Sequence, residues 1–339
     1  MLRHRCIGVA AAAAALLLVS ACGSAGSSGS PSASPASSSA AASATGSASA
    51  APTFSVMTDG PAPAVTGAPG KNPTIAKGTG TPPTALVINT LAKGAGAVIA
   101  TGDLVVTNFA VQKWTGSTPL GSTYTSGGPT SFPIGLGQVI PAWEKLVGQH
   151  VGARVEMVVP PAAGFGSAGN SQAGVAPTDT LVFVFDLLGA YPSKVKATGT
   201  PGAKPPAGIT VSDGGNAGPT VTVAKGLTAP TAVATTRLLQ GSGPVVKAGQ
   251  TVVVQYTGLT FADGKVFDSS WKRGVPAAFT IGSGQVIKGW DTGIVGAHVG
   301  DRLLLVIPPA QGYGSSGQPQ AGIPANATLV FVVDIIAAI

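Results

Sequence analysis

The chain has 339 residues, 44% of them hydrophobic and only 9% charged, with 49 Gly, 28 Pro and a formal net charge of +7. That length admits two domains of ordinary size, and so few charges among so many turn formers point to short strands and connectors rather than long surface helices. The 19 basic residues are scattered, without a dense block or interleaved aromatics, which argues against nucleic-acid binding, and two cysteines and three histidines offer no metal cluster with zinc spacing.

Residues 1–21 read as an export leader. Arg3 and Arg5 form a positive start, Ile7 to Val19 an apolar run too short for a convincing permanent span, and Ser20 and Ala21 present small side chains before Cys22. The segment VSAC resembles a bacterial lipobox, so Cys22 is expected to carry lipid and to anchor the exported protein on the outer face of the cell membrane, an extracytoplasmic site. A plain secretory signal with a chance cysteine is the alternative. Cleavage would remove Cys6, Arg3 and Arg5, leaving no thiol pair for a disulfide and 17 basic against 12 acidic residues, a net charge of +5. Residues 22–52 are almost entirely Ser, Ala, Gly and Pro, which cannot bury enough apolar surface to offset the entropy of ordering, and they read as a disordered tether.

Beyond the tether the chain repeats itself. PTALVINTLAKGAGAVIATGD at 83–103 matches PTAVATTRLLQGSGPVVKAGQ at 230–250, IGLGQVIPAW at 134–143 matches IGSGQVIKGW at 281–290, and DTLVFVFDLL at 179–188 matches ATLVFVVDII at 327–336. The offset stays near 147, too long for a solenoid unit, so each copy is a domain with its own core: 53–191 and 207–339. Between them 192–206 sets Lys194, Lys196 and Lys204 among Pro, Gly and Thr and reads as a linker. In the second copy 251–259, 303–307 and 328–336 read as strands, with Asp263 and Gly264 turning the chain after the first. Val286, Ile287, Trp290, Ile294 and Val295 fall on one face of a helical period, and Val139, Ile140, Trp143, Leu146 and Val147 repeat it. The expected fold is α+β, in each copy a twisted antiparallel sheet wrapped over one short α-helix.

The usual catalytic constellations are missing. His150 and His298 sit in equivalent GxHVG turns and read as solvated turn residues, and GFGSAG at 164–169 and GYGSSG at 312–317 lack the strand–helix setting of a dinucleotide loop. What remains is a spaced set of aromatic and branched residues, each on its own more often core than site. The runs VQYTG, GKVFDSSW, GQVIKGW, PPAQGYG and ATLVFVVDI, in this order, closely resemble the FKBP-type peptidyl-prolyl isomerases over about residues 220–339.

The resemblance implies a hydrophobic pocket floored by Trp290 and walled by Tyr256, Phe267, Phe279 and Phe331. Val286 and Ile287 would form one rim, with the Ile287 N–H offered to a substrate carbonyl, and Ile323 would close the far side. It assigns the polar contacts to Asp268 and the Tyr313 hydroxyl, so that Tyr256, Phe267, Asp268 and Tyr313 carry catalysis, with no cofactor. The loop GSSGQPQAGIP after Tyr313 departs from the family pattern, with Gln318 where a histidine is common. The implied partners are proline-containing polypeptides, unfolded or newly exported, and macrolides such as tacrolimus or rapamycin. Such a pocket suits the chemistry, since dry aromatic walls can favour a twisted, deconjugated amide without nucleophile, metal or cofactor.

In the first copy VQKWTGSTPLGSTY stands where the second has GLTFADGKVFDSSW. There Phe109 replaces Tyr256, Leu120 replaces Phe267, Gly121 replaces Asp268 and Phe165 replaces Tyr313, while Phe132, Val139, Ile140, Trp143, Val175 and Phe183 keep the apolar lining. Two expectations follow for this degenerate pocket: it binds prolyl segments with little or no isomerisation, or its apolar residues serve the fold alone. For the whole chain, an anchored isomerase assisting the folding of exported proteins competes with a non-enzymatic, chaperone-like binder of unfolded or proline-rich segments.

Overall fold

The structure, a computed structural model, describes residues 53–339, so the expected leader, Cys22 and the tether lie outside the described residues. Both halves build the same sheet. In the second half the central strand Thr251–Thr260 lies between Leu329–Ala338 on one side and the short strands Val266–Ser269 and Ala277–Thr280 on the other. Arg302–Ile307 and then Ala234–Gln240 extend the sheet beyond Leu329–Ala338. The first half repeats this with Leu104–Lys113 at the centre, Leu181–Tyr191, Arg154–Val159 and Leu86–Ala92 to one side, and Pro119–Ser122 and Thr130–Pro133 to the other.

Two expectations need correction. The first sheet is not wholly antiparallel, because Val56–Thr58 pairs in parallel with Leu86–Ala92; the long segment between them supplies the crossover such pairing requires. The helical face is also shorter than its periodicity suggests. The second half has a seven-residue α-helix, Lys288–Ile294, whereas the first has a four-residue 3-10 turn, Trp143–Leu146. In that turn the Trp143 and Lys145 N–H groups reach back three residues, to Ile140 and Ala142, a geometry that persists only over short runs. Val147 and Val295 lie past the last turn with extended backbone and exposed side chains, while the other residues of each face pack inward.

The inner face of the second sheet follows the two-residue alternation of strands. Val252, Val254 and Tyr256 of the central strand, Leu303, Leu305 and Ile307, and Phe331, Val333 and Ile335 converge on Trp290 and Ile294 of the helix. A buried hydroxyl fixes the central strand to the segment that follows it: Ser270 Oγ accepts from the Tyr256 N–H at 2.8 Å and donates to Gln255 Oε1 at 2.6 Å. Thr123 does the same for Phe109 and Asn108.

The outer face is covered as well, by the segment that precedes each core. In the first half Ala62, Val65 and Ile75 lie on Val87, Ala110, Val158, Val182 and Val184. In the second, the hairpin Ile209–Ser212 and Thr220–Val223 lays apolar side chains on Leu259, Leu304, Val306, Val330 and Val332. The span read as a linker takes part in this strap: Ala197 N–H donates to Asp334 at 3.0 Å, Gly199 N–H to the Gly300 carbonyl at 3.0 Å, and Thr200–Pro201 pairs with Leu239 and Gln240. Gly218 lies flat on the Trp271 ring, where a Cβ would come within 2.3 Å of the indole.

Each strap closes over a buried ion pair. Arg302 grips Asp334 through Nε at 2.6 Å and Nη2 at 2.8 Å, and Arg154 grips Asp186 at 2.7 and 2.6 Å, each pair directly across two strands. Arg154 also donates to the Gly67 and Lys71 carbonyls of the strap, both at 2.7 Å, and Arg302 to Asp213 at 2.6 Å. Burial alone would push the Asp186 carboxyl up, but hydrogen bonds from Arg154, Tyr124 and the Gly70 N–H hold it below the usual carboxylate range. Arg302→Met should therefore strand Asp334 and cost roughly 3–5 kcal/mol in urea unfolding, most of it recovered on adding Asp334→Leu; a single variant as stable as the parent would show that the pair does not hold the strap.

Glu156 is the one carboxyl of the first outer face with an unmatched oxygen. It is 2% exposed, accepts from Asn89 Nδ2 at 3.3 Å, leaves Oε1 without a partner, and stands where the second half has Leu304. Burial pushes its carboxyl up from 4.5 to about 7. A raised acid favours the folded state when protonated, so its stabilising contribution is whole below pH 4.5 and is lost as pH rises through about 7. Unfolding midpoints measured from pH 4 upward should fall across that window in the parent and flatten in Glu156→Gln; parallel curves would contradict this.

Candidate functional site

The second half opens a cavity of about 440 Å³ lined by Tyr256, Phe267, Asp268, Phe279, Gln285, Val286, Ile287, Trp290, Tyr313 and Phe331. Trp290, on the helix, is the floor, and three rings stand nearly perpendicular to it. Tyr256, Phe279 and Phe331 have centroids 5.3, 5.2 and 5.3 Å from the indole, at interplanar angles of 90°, 82° and 84°. Phe267 meets Phe331 edge to face at 5.5 Å. Such edge-to-face contacts hold the walls upright while leaving the centre of the box open.

A bulge puts Phe267 there. Pairing between the central strand and Val266–Ser269 runs Thr257 to Ser269 and Gly258 to Asp268, then shifts to Leu259 opposite Val266, so Phe267 has no direct partner. Gly258 makes the close approach possible, since a Cβ on it would lie 2.6 Å from the Phe331 ring and 2.8 Å from that of Phe267.

The polar edge of the cavity is a three-residue network. Asp268 accepts from the Tyr256 hydroxyl and from Arg273 Nη1, while Arg273 Nη2 donates to the Tyr256 oxygen at 3.1 Å and its guanidinium carbon sits 5.3 Å from the centre of that ring. Arg273 reaches the network from an unanticipated one-turn helix, Ser270–Arg273, which Ser269 caps at its start and Gly274, at φ +75°, ends. Burial, reinforced by the bond to Asp268, pushes the Tyr256 phenol above its usual range, so it remains a donor to the carboxylate. Tyr313 stands at the mouth, 37% exposed, its phenol pushed up first by burial and then by the Asp268 charge.

Nine of the ten residues expected at the site line this cavity. Ile323 does not: it is buried in the core and bridges Gln318 in a tight loop, with Gln318 N–H to Ile323 carbonyl at 2.9 Å and the reverse bond at 3.0 Å. Gln318 itself is exposed and away from the lining. Gln285 is the lining residue that sequence reasoning missed; a polar, exposed side chain beside Val286 gives no apolar signal. His150 and His298 prove to be turn ties, their Nδ1 atoms 3.1 and 3.0 Å from the carbonyls of Gly96 and Gly243.

The first half brings the corresponding residues together as packed core. Trp143 touches Phe109, Phe132, Phe183 and Phe185, with centroids 4.9 to 5.5 Å away, and Leu120 and Phe165 are half-buried against the cluster. Two exchanges, identified by strand register, account for the filling. Val111, fully buried, occupies the place of Gly258, so its side chain takes the space that the Phe267 and Phe331 rings use in the second half. Phe185 occupies the place of Val333, adding a ring beneath the floor. With Gly121 in the place of Asp268 the polar network is gone.

The family model described as FKBP-type peptidyl-prolyl cis-trans isomerase matches residues 96–188 and 243–336. An FK506-binding protein of Streptomyces anulatus is 39% identical over 137 residues, covering 40% of this chain and 91% of the relative. The peptidyl-prolyl cis-trans isomerase FKBP15-2 of Arabidopsis thaliana is 53% identical over 89 residues, which is 26% of this chain and 53% of the relative. Among solved structures, the three FKBP domains of wheat FKBP73 align at 23% identity over 75% of this chain and 94% of theirs, with a TM-score of 0.31.

Proposed function

Since the chain belongs to the FKBP-type peptidyl-prolyl cis-trans isomerase family, we propose that its second half catalyses rotation about X-Pro bonds in exported polypeptides, and that its first half contributes little or no catalysis of its own. The observation that carries this reading is the open aromatic box over Trp290 with the Asp268–Tyr256–Arg273 network at its edge, set against the filled box over Trp143.

Amide conjugation gives the X-Pro bond a rotation barrier of ~18–20 kcal/mol and an unaided half-time of tens to hundreds of seconds. The planar amide is strongly solvated at its carbonyl, whereas the twisted form has lost conjugation and depends less on that solvation. Seating the prolyl ring on Trp290, between Tyr256, Phe279 and Phe331, removes water and so penalises the planar form more than the twisted one. Asp268, held by Tyr256 and Arg273, fixes the field at the edge of the box, and the Tyr313 hydroxyl at the mouth can bond the substrate chain. No group needs to attack the substrate, so the site needs shape and fixed dipoles rather than a nucleophile.

The expected result is acceleration of X-Pro exchange by the full chain, followed by NMR on a peptide series, with FK506 competing for the box. Asp268→Gly should slow the reaction about tenfold, the worth of a bond to a charged group. Peptide binding without acceleration would replace the enzyme by a chaperone-like binder.

From the leader-like start and the VSAC motif we infer a lipid anchor on Cys22 and a place outside the membrane, where newly exported chains fold and slow prolyl rotation limits them. Mass spectrometry of the mature N-terminal peptide should show a diacylglycerol-modified Cys22, and an unmodified peptide beginning at Cys22 would remove the anchor from the proposal.

A further inference from the structure

The two halves meet through one more apolar cluster. Leu104 and Val106 of the first half and Val253 of the second are buried in it, with Leu188 and Tyr191 from one side and Val275, Ala278, Ile336, Ala337 and Ile339 from the other packed around them. The contributions correspond: by strand register Val106 is the counterpart of Val253, and at the repeat offset Leu188 matches Ile336 and Tyr191 matches Ile339. Equivalent positions of the two halves thus meet at three pairs of residues, while Leu104, Val275, Ala278 and Ala337 have no counterpart in the cluster.

On the second half this patch is the back of the pocket wall. Ala277–Thr280 is a four-residue strand hydrogen-bonded on one side only, to the central strand, with Ala278 opposite Val253 and Phe279 opposite Val252. Side chains alternate along it, so Phe279 enters the cavity while Ala278 enters the interdomain cluster. Val275, in the same cluster, lies two residues after Arg273, which holds Asp268. A short strand paired on one edge has few bonds of its own to keep it in place, and such elements open most readily.

We propose that the first half is a fixed support for this wall, positioning Phe279 and Arg273 of the second half through Ala278 and Val275. The proposal rests on the reading of the second half as the catalytic one, and it gives the filled first copy a task that needs its surface instead of its box. Leu188 and Tyr191 are the positioning residues on the supporting side, since both are half-buried on its outer face.

The test uses the full chain with Leu188→Ala and Tyr191→Ala combined, compared with Leu188→Met and Tyr191→Phe, and separately with Ile339→Ala from the other side. Hydrogen exchange across residues 275–280 should quicken about tenfold in the alanine variants, with exchange in Arg154–Val159 unchanged, and the conservative pair should restore protection. Prolyl exchange at saturating peptide should slow ~5-fold, since displaced groups lose rate more than affinity. Unchanged exchange at 275–280 in both alanine variants would overturn the support. Hydrogen exchange reads it without turnover, so a parent chain lacking isomerase activity would sink the proposed function and leave the support to be judged by exchange alone.

Discussion

The fork between an arginine and an aspartate on neighbouring strands, Arg154 with Asp186 and Arg302 with Asp334, is the constraint on which the rest of each half depends. A charged pair in the middle of an outer sheet face is at ease in water and costly when dry, unless each remaining N–H and oxygen finds a partner. The strap supplies those partners: the Gly67 and Lys71 carbonyls and the Gly70 N–H in one half, Asp213 and the Ala197 N–H in the other. Polar demand thus sets where the strap crosses, and the apolar residues flanking the pair then bury against it. With both faces dry, the sheet keeps its twist and its register, and the rings on its inner face keep their angles.

Within that common frame the difference between a box and a core is small. Gly258 makes room for two phenyl rings to stand apart; Val111 at the same register does not. Val333 leaves the space behind Tyr256 slim; Phe185 fills it. The Trp at the floor survives in both halves because it is needed as packing in one and as a surface in the other. The contrast also explains why the polar network belongs to one half only: a carboxylate is tolerable at the edge of an open, partly wet cavity, where Tyr256 and Arg273 can reach it, and would be stranded against a closed aromatic cluster.

Much of this was legible in the sequence. The duplication and the three long strands follow from apolar patterning, a local signal, whereas the floor at Trp290 and the walls at Tyr256, Phe267, Phe279 and Phe331 were implied only by the resemblance to the FKBP family. The strap was not: Ile209, Val211, Val221 and Val223 alternate as strand residues do, but their partners lie far along the chain, and the Pro, Gly and Thr around Lys194 to Lys204 read as a connector. Gln285 and Arg273 escaped a central role because polar side chains carry no periodicity. Ile323 was placed at the cavity by analogy; it is buried in the same core cluster as Trp290 and Phe331 and bridges Gln318, without lining the cavity.

Equivalent residues of the two halves meet in the face between them, an arrangement that a pair of separate identical chains could also form. In a symmetric pair of identical chains one gene encodes both partners, so any change that fills one site fills the other, and the interface and the site must be maintained together. Fusion lifts that restriction, because each copy then has its own codons while the joined chain keeps its partner at a high effective concentration. One half is then free to lose its open box while its surface still packs on its neighbour, and the neighbour keeps that support on the same chain.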